Sequence, residues 1–365
     1  MKTLFRFVLV LLVLGVIAAG AIGYTAYSFL GKPASESAET AVFEVRPGES
    51  FKTISVRLEQ EGLITSARML QLYGRFMNVG SKVRVGEYAV ARNSTPAQVL
   101  SVITSGKSIE YSVAVPEGYN IFEIADIVQK RGVAKRDEFI TLVRDKALIR
   151  ELLGEDLPSL EGYLFPETYN ITKFTGARGL VKMMVARFKE NYEKVRALGG
   201  NQMKRKDLVT LASIVEKETG APEERPLISS VFHNRMKINM KLQTDPTTIY
   251  GIWEQTGVWD RNISKQDLLT PNRYNTYSFT GLPYGAISNP GFEAMKAAAF
   301  PASSEYLFFV SKNDGTHIFS KDLAGHLRGV KDFQLNSKAR EGKSWRDLQK
   351  RNTVVPSSPA SPNVK

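Results

Sequence analysis

A chain of 365 residues, 43% hydrophobic and 24% charged, has room for two or three domains with a sizeable core and the balance of a folded protein. Lys plus Arg at 49 against 37 acidic residues leaves a net charge of +12, which suits an anionic partner such as a membrane surface, a cell-wall polymer or nucleic acid. With no cysteine, disulfides, thiolate zinc sites and cysteine nucleophiles are excluded; the three His (His233, His317, His326) lack a metal-ligand spacing, so neither metal nor cofactor is expected.

Phe7 to Ala26 carries no charge and has the length of a bilayer-spanning helix. Lys2 and Arg6 precede it, which leaves the N-terminus in the cytoplasm and everything after Lys32 outside. Ala19-Gly20-Ala21 resembles a signal-peptide cleavage site, but the apolar run continues past it, favouring an uncleaved anchor over a cleaved signal. A small polar linker, GKPASESAET, follows over residues 31–40.

The pattern then changes to a strand at Val42 to Val45, a turn at Pro47-Gly48, and a helix with Phe51, Ile54 and Leu58 on its apolar face, capped at Glu49-Ser50. Val83 to Ala91 reads as a strand, and Ser94-Thr95-Pro96 opens a helix that ends at Gly106. The strand-turn-helix returns at Tyr111 to Val115, Pro116-Glu117-Gly118 and Ile121, Ile124, Ile127. The first copy, around VRPGES, is similar to a LysM module, a βααβ unit that binds glycans containing N-acetylglucosamine; a generic spacer remains an equal alternative. Residues 135–156 read as a charged, solvated helical segment. EGYLFPETY (161–169) is poor helix; it suits the lining of a carbohydrate groove, although by composition alone an aromatic turn plugging the core is favoured. Gly179 to Leu198 is an amphipathic helix.

LVTLASIVEKETG (208–220) places Leu208, Leu211, Ala212, Ile214 and Val215 on one helical face, with Glu218 at its rim. Gly220 as C-cap and Pro222 beyond it end the helix, so Glu218 lies in the last turn. Desolvation and the negative end of the helix dipole both favour the protonated carboxyl, the form a general acid needs. A structural ion pair at a helix end gives the same pattern. A helix over 223–239 follows. Next comes a long polar region, expected to be loop, that includes 242–251, 274–277 and 281–291. Phe292 to Phe300 is a short helix, Tyr306 to Val310 and Thr316 to Phe319 form a hairpin across Asn313-Asp314-Gly315, and a last helix spans Leu323 to Lys350.

Taken together, SIVEKET (213–219), NRMKINMKLQTDPTTIYG (234–251), YNTY (274–277), GLPYGAISNPG (281–291) and EGYLFPETY, after one apolar N-terminal segment, resemble the YceG-like family of endolytic murein transglycosylases. The segments read above and the resemblance together give an α+β protein: cytoplasmic N-terminus (1–6), a single transmembrane anchor (7–30), linker (31–40), LysM-like subdomain (41–107), second α/β subdomain (108–160), mixed helical/β catalytic domain (161–350) and, by composition, a disordered tail (351–365). The resemblance assigns the family's catalytic acid to Glu218. It also implies cleavage of the β-1,4 bond between N-acetylmuramic acid and N-acetylglucosamine near the membrane, leaving 1,6-anhydro ends. Gln243, Thr244, Asp245, Tyr250, Asn275, Tyr277 and Asn289 are then candidates for holding sugar groups, with Tyr163 and Glu167 along the groove and Glu216 structural. The expected partners are glycan strands, the membrane and peptidoglycan synthases; the extracytoplasmic location disfavours nucleic acid. A water-using muramidase and a non-catalytic wall-binding or synthase-recruiting anchor are the alternatives.

Overall fold

The apolar periods of the sequence become helices far more often than strands: the computed structural model, which describes residues 2–259 and 261–336, is a mixed α+β fold, mostly helical, with three two-stranded sheets among those residues. It divides into two units, Met1–Ser112 with Asn170–Gly176 and Val113–Tyr169 with Ala177–Lys365. The expected 108–160 subdomain is thus split at Ser112, and its larger part lies in the same unit as the expected catalytic domain.

The first unit begins with α1 (Lys2–Gly31), whose described side chains Leu12, Val13, Leu14, Val16 and Ile17 are all exposed. Among the described residues no helix is long and apolar enough to cross a membrane. Part of the expected span (Phe7, Val8, Val10, Leu11, Ala18, Ala19 and Ile22) lies outside those whose side chains are described. Next come β1 (Thr40–Val45), α2 (Phe51–Gln60), α3 (Ala67–Phe76), β2 (Gly86–Ala91) and α4 (Pro96–Thr104). β1 and β2 pair antiparallel from Thr40↔Ala91 to Val45↔Gly86. The inward residues of both strands, Phe43, Val45, Tyr88 and Val90, close on Ile54, Leu58, Leu70 and Ile103, and Phe29 of α1 packs against this core. Ser50 caps α2 as its sequence predicts, accepting from Thr53 N at 3.1 Å. Thr95 and Gln98 form a capping box at α4 with Pro96 at the first position. β3 (Tyr111–Ala114) and β4 (Thr168–Ile171), strands that run across the divisions after Ser112 and Tyr169 and so belong to neither unit alone, form a second sheet.

The second unit contains α5 (Ile121–Lys130), α6 (Arg136–Val143), α7 (Lys146–Leu153), α8 (Gly176–Ala197), α9 (Arg205–Glu218), α10 (Arg225–Lys237), α11 (Asp245–Thr256), α12 (Lys265–Leu269), α13 (Phe292–Ala299), the antiparallel hairpin β5 (Phe308–Ser311) and β6 (His317–Ser320), and α14 (Leu323–Gly329). Three expectations change here. Residues 135–156 are not a solvated face: α6 and α7 bury Phe139, Val143, Leu148, Ile149 and Leu153, a stripe at helical spacing that the surrounding charges obscure in the sequence. The polar stretch 242–251 is loop only as far as Thr244; Asp245-Pro246 opens α11, with Pro where its missing N–H costs nothing. The last helix is interrupted, since α14 gives way to a wider turn at Val330–Leu335; its continuation to Lys350 and the tail lie outside the described residues.

α9 is the centre of this unit and packs against α10, α11 and α13. It was expected to bury one face, yet all eight residues from Leu208 to Val215 are buried. Each fully buried aliphatic side chain contributes roughly 1.5–3 kcal/mol relative to exposure. The two polar positions among them are satisfied: Thr210 donates to Lys206 O at 2.8 Å, and Ser213 donates to Thr210 O at 2.7 Å while accepting from Ile287 N at 3.0 Å. EGYLFPETY is largely interior, with Glu161, Tyr163, Leu164 and Tyr169 buried. Glu161 accepts from Ile121 N at 3.0 Å and Asn289 Nδ2 at 2.9 Å, and burial pushes its carboxyl up to about 8.

Candidate active site

The end of α9 sorts its three charged residues by what holds them. Glu216 is 6% exposed, pairs with Arg225 at 3.1 Å and accepts from Gly291 N at 3.0 Å, so it is internal scaffolding. Lys217 donates to the Gly118 carbonyl at 3.3 Å. Glu218 alone of the three opens into a cleft. The helix does not stop through a left-handed Gly220: Thr219 is already extended (φ −87°, ψ 115°). Gly220 has another function, because a Cβ there would lie 2.5 Å from the Gly315 carbonyl at the hairpin turn. Gly220→Ala must therefore push the hairpin off the α9 elbow, and a loss of about 1–3 kcal/mol in chemical denaturation is expected.

The cleft has a volume of about 420 Å³. Around Glu218 it is lined by Arg235 from α10, Leu242, Gln243 and Asp245 from the start of α11, and Tyr277 from the loop after α12. The hairpin and α14 add Phe308, Phe309, Leu323 and His326. Apolar rings together with a few converging polar groups are the usual composition of a ligand site.

Thr244, the residue before α11, donates its hydroxyl to Glu218 Oε1, fixing one carboxyl oxygen and leaving the other for a ligand. Thr244 is itself held by a bond from its N–H to Thr276 Oγ1 at 3.1 Å, and Thr276 is bonded to Thr247 at 2.9 Å. Gln243 adopts a left-handed backbone (φ 48°), a conformation that costs a non-glycine residue energy and concentrates at functional sites. Tyr277 donates to Asp245 Oδ1 at 2.6 Å. Burial raises the affinity of Glu218 for its proton, and the nearby Asp245 charge adds to this; the Thr244 bond and the charges of His317 and Arg235 oppose it, and the net displacement is upward.

Of the residues proposed from the sequence, Glu218, Gln243, Asp245 and Tyr277 line this cleft and Thr244 supports it. The other five lie elsewhere. Tyr250 is buried edge-on to Tyr274 with ring centroids 4.9 Å apart. Asn275 is fully buried and ties down the end of α12 through the Leu268 and Thr270 carbonyls at 3.1 and 2.8 Å. Asn289 bonds Gly162 N and Leu164 N at 2.9 Å each. Tyr163 packs against Phe188, and Glu167 pairs with Arg187 of α8. Sequence reasoning missed Arg235, Phe308, Phe309 and His326. The unusually aromatic hairpin sequence was the available signal for Phe308 and Phe309. Among the described residues no group of acidic and His side chains is placed to hold a metal ion.

The pattern of the YceG-like family matches residues 43–332. An endolytic murein transglycosylase of Bacillus subtilis is 29% identical over 324 residues, covering 84% of this chain and 88% of that protein. One from Streptococcus pneumoniae is 28% identical over 323 residues, 80% of this chain but 58% of the longer relative. A crystal structure of a YceG-like protein from Listeria monocytogenes superposes with a TM-score of 0.54 at 31% identity, covering 80% of this chain and 99% of that one. The matched span takes in α9, the Thr244 turn and the hairpin, the segments that build the cleft, and on that match the chain belongs to the YceG-like family.

Proposed function

We infer that this protein is an endolytic murein transglycosylase with Glu218 as its general acid and base. The observation that carries this reading is the Glu218 carboxyl, displaced toward its neutral form and oriented by Thr244 at the floor of an open cleft. Protonated Glu218 donates to the oxygen of the β-1,4 bond between N-acetylmuramic acid and N-acetylglucosamine. The C1–O bond breaks through an oxocarbenium-like state, and the N-acetylglucosamine side leaves as an alcohol. The Glu218 carboxylate then takes the proton of the C6 hydroxyl of the same muramoyl residue, and O6 bonds C1 to close a 1,6-anhydro ring. The proton returns to where it started and no water is consumed, so one carboxyl group serves both steps, unlike the two-carboxylate scheme of hydrolases. Gln243, Asp245 and Tyr277 supply polar groups for the sugars, and the Phe308 ring an apolar surface for a pyranose face.

The helical α1, with apolar side chains exposed on consecutive positions, supports a single-pass anchor that holds the enzyme at the cytoplasmic membrane with its cleft outside. The β1-α2-α3-β2 order supports the LysM-like reading of the first unit, as a glycan-binding module. Peptidoglycan synthases are the further partners this placement makes available.

Mass spectrometry of the ends released from purified glycan strands tests the reading. Anhydro ends are expected; ends heavier by one water identify a muramidase, and no release identifies a non-catalytic wall binder. The pH profile follows from the sign of the Glu218 displacement. The first step needs the proton, so kcat/KM is expected to fall on the alkaline side at a pH above the ordinary glutamate range.

A further inference from the structure

Arg235 is a buried cation held by neutral groups rather than by a carboxylate. It is 7% exposed, and among the described residues its hydrogen bonds run to two carbonyls, Nε to Leu307 at 2.7 Å and Nη1 to Leu242 at 2.5 Å. The guanidinium lies 5.4 Å from the Phe308 ring centroid. No described carboxylate lies within ion-pairing distance of it, whereas the partly buried Arg225 is paired with Glu216 at 3.1 Å. Burying a charge without a counter-charge is costly, and such charges are ordinarily paired. Both carbonyls flank the cleft, one just before Thr244 and the other at the foot of β5, so the guanidinium is fixed and shares the cleft with Glu218.

We propose that Arg235 is a positioning residue of the reaction, the fixed counter-charge for the Glu218 carboxylate that exists between proton donation and ring closure. This role rests on the transglycosylase reading. The other charged or titratable groups facing Glu218 are engaged: Asp245 accepts from Tyr277 at 2.6 Å, and His317 of β6 is clamped by Glu224, ring Nδ1 to Oε2 at 2.7 Å and backbone N to Oε1 at 3.0 Å. His326 stacks on Phe308 with centroids 5.3 Å apart, and burial together with Arg235 favours its neutral form. Arg235 thus supplies the cation left for the charge that appears on Glu218. Its attraction favours the carboxylate, while burial and Asp245 favour the acid, and these opposed pulls let one group give a proton and take one back.

The test is an infrared pH titration of the full chain, with the Glu218 carboxyl band isolated by difference from Glu218→Gln. Arg235→Met removes the charge, and the titration midpoint is expected to rise by about one pH unit. Arg235→Gln, which keeps a donor for one carbonyl, should rise likewise and carries the comparison if the Met variant does not fold. Arg235→Lys keeps the charge but cannot span both carbonyls, so its midpoint should stay at the wild-type value while KM rises. An unmoved midpoint in the neutral variants, or an equal rise in Arg235→Lys, overturns the proposal and leaves Arg235 a structural tie. The titration needs no turnover, so wild-type protein that releases no anhydro ends sinks the enzymatic reading without touching this measurement.

Discussion

Replacing Glu218 with Gln is expected to reduce release of anhydro ends from purified glycan strands by about 10³-fold, within the range that a positioned acid-base group contributes. The amide has the same shape, and the Thr244 hydroxyl can still donate to its oxygen, so cleft and fold are kept. What is lost is the transferable proton, needed in the first step, and the basic oxygen, needed in the second. KM should change little, because the loss belongs to the transition state rather than to strand binding. Glu216→Gln provides the contrast: it weakens the pairing with Arg225 and should lower the melting temperature while leaving the chemistry in place. A Glu218→Gln enzyme retaining more than about a tenth of wild-type kcat would remove Glu218 from the role of acid, given that scale of contribution.

The largest effect on stability is expected at Asn289. Its Oδ1 accepts from Gly162 N and Leu164 N at 2.9 Å each, and its Nδ2 donates to Tyr119 O and Glu161 Oε1 at 2.9 Å each. One fully buried amide therefore joins the segment before α5, the EGYLFPETY stretch and the loop before α13. Asn289→Ala leaves two N–H groups and a carboxyl oxygen without this partner, while Tyr119 O keeps the bond from the backbone N–H of residue 289, and each unsatisfied buried group costs about 1–3 kcal/mol. A total loss of roughly 4 kcal/mol is expected in chemical denaturation once partial relaxation is allowed for. Because the residue does not line the cleft, the folded fraction should retain wild-type KM; a raised KM with unchanged stability would instead make Asn289 a sugar-binding residue.

Glu218 could be singled out from the sequence because three constraints coincide at it: an apolar helical stripe, a forced helix end and a family motif. β1, α2, β2, α4 and the Asn313-Asp314-Gly315 hairpin were legible for the same kind of local reason, period and turn chemistry, whereas α3 was not read from the sequence. The amide residues were not. Asn275 and Asn289 look like sugar-binding groups in a polar loop, and whether such an amide faces solvent or satisfies buried backbone depends on how the chain folds around it, locally at Leu268 and Thr270 for Asn275 and more than a hundred residues away at Gly162 for Asn289. Arg235 was hidden for the opposite reason. An arginine near a helix end reads as a solvated charge, and only the fold shows two carbonyls drawing it under the cleft. α11 was missed although Asp245-Pro246 was an available start signal, because the hydroxyl-rich residues after it mimic loop composition.

The small unit is not contiguous in sequence, since residues 170–176 complete it after 57 residues that belong elsewhere. Lys173, within that returning segment, reaches Glu44 at 3.4 Å and Glu87 at 3.3 Å. A chain emerging N-terminus first can therefore close β1 on β2 early but cannot finish the unit until residues 170–176, which begin in β4, have been delivered. The last step is a long-range closure, and such non-local pairing is slower than the local pairing that precedes it. Until then Glu44 and Glu87 lack the Lys173 ammonium, so refolding experiments that begin at residue 113, or stop before 170, would each start from a different and incomplete molecule.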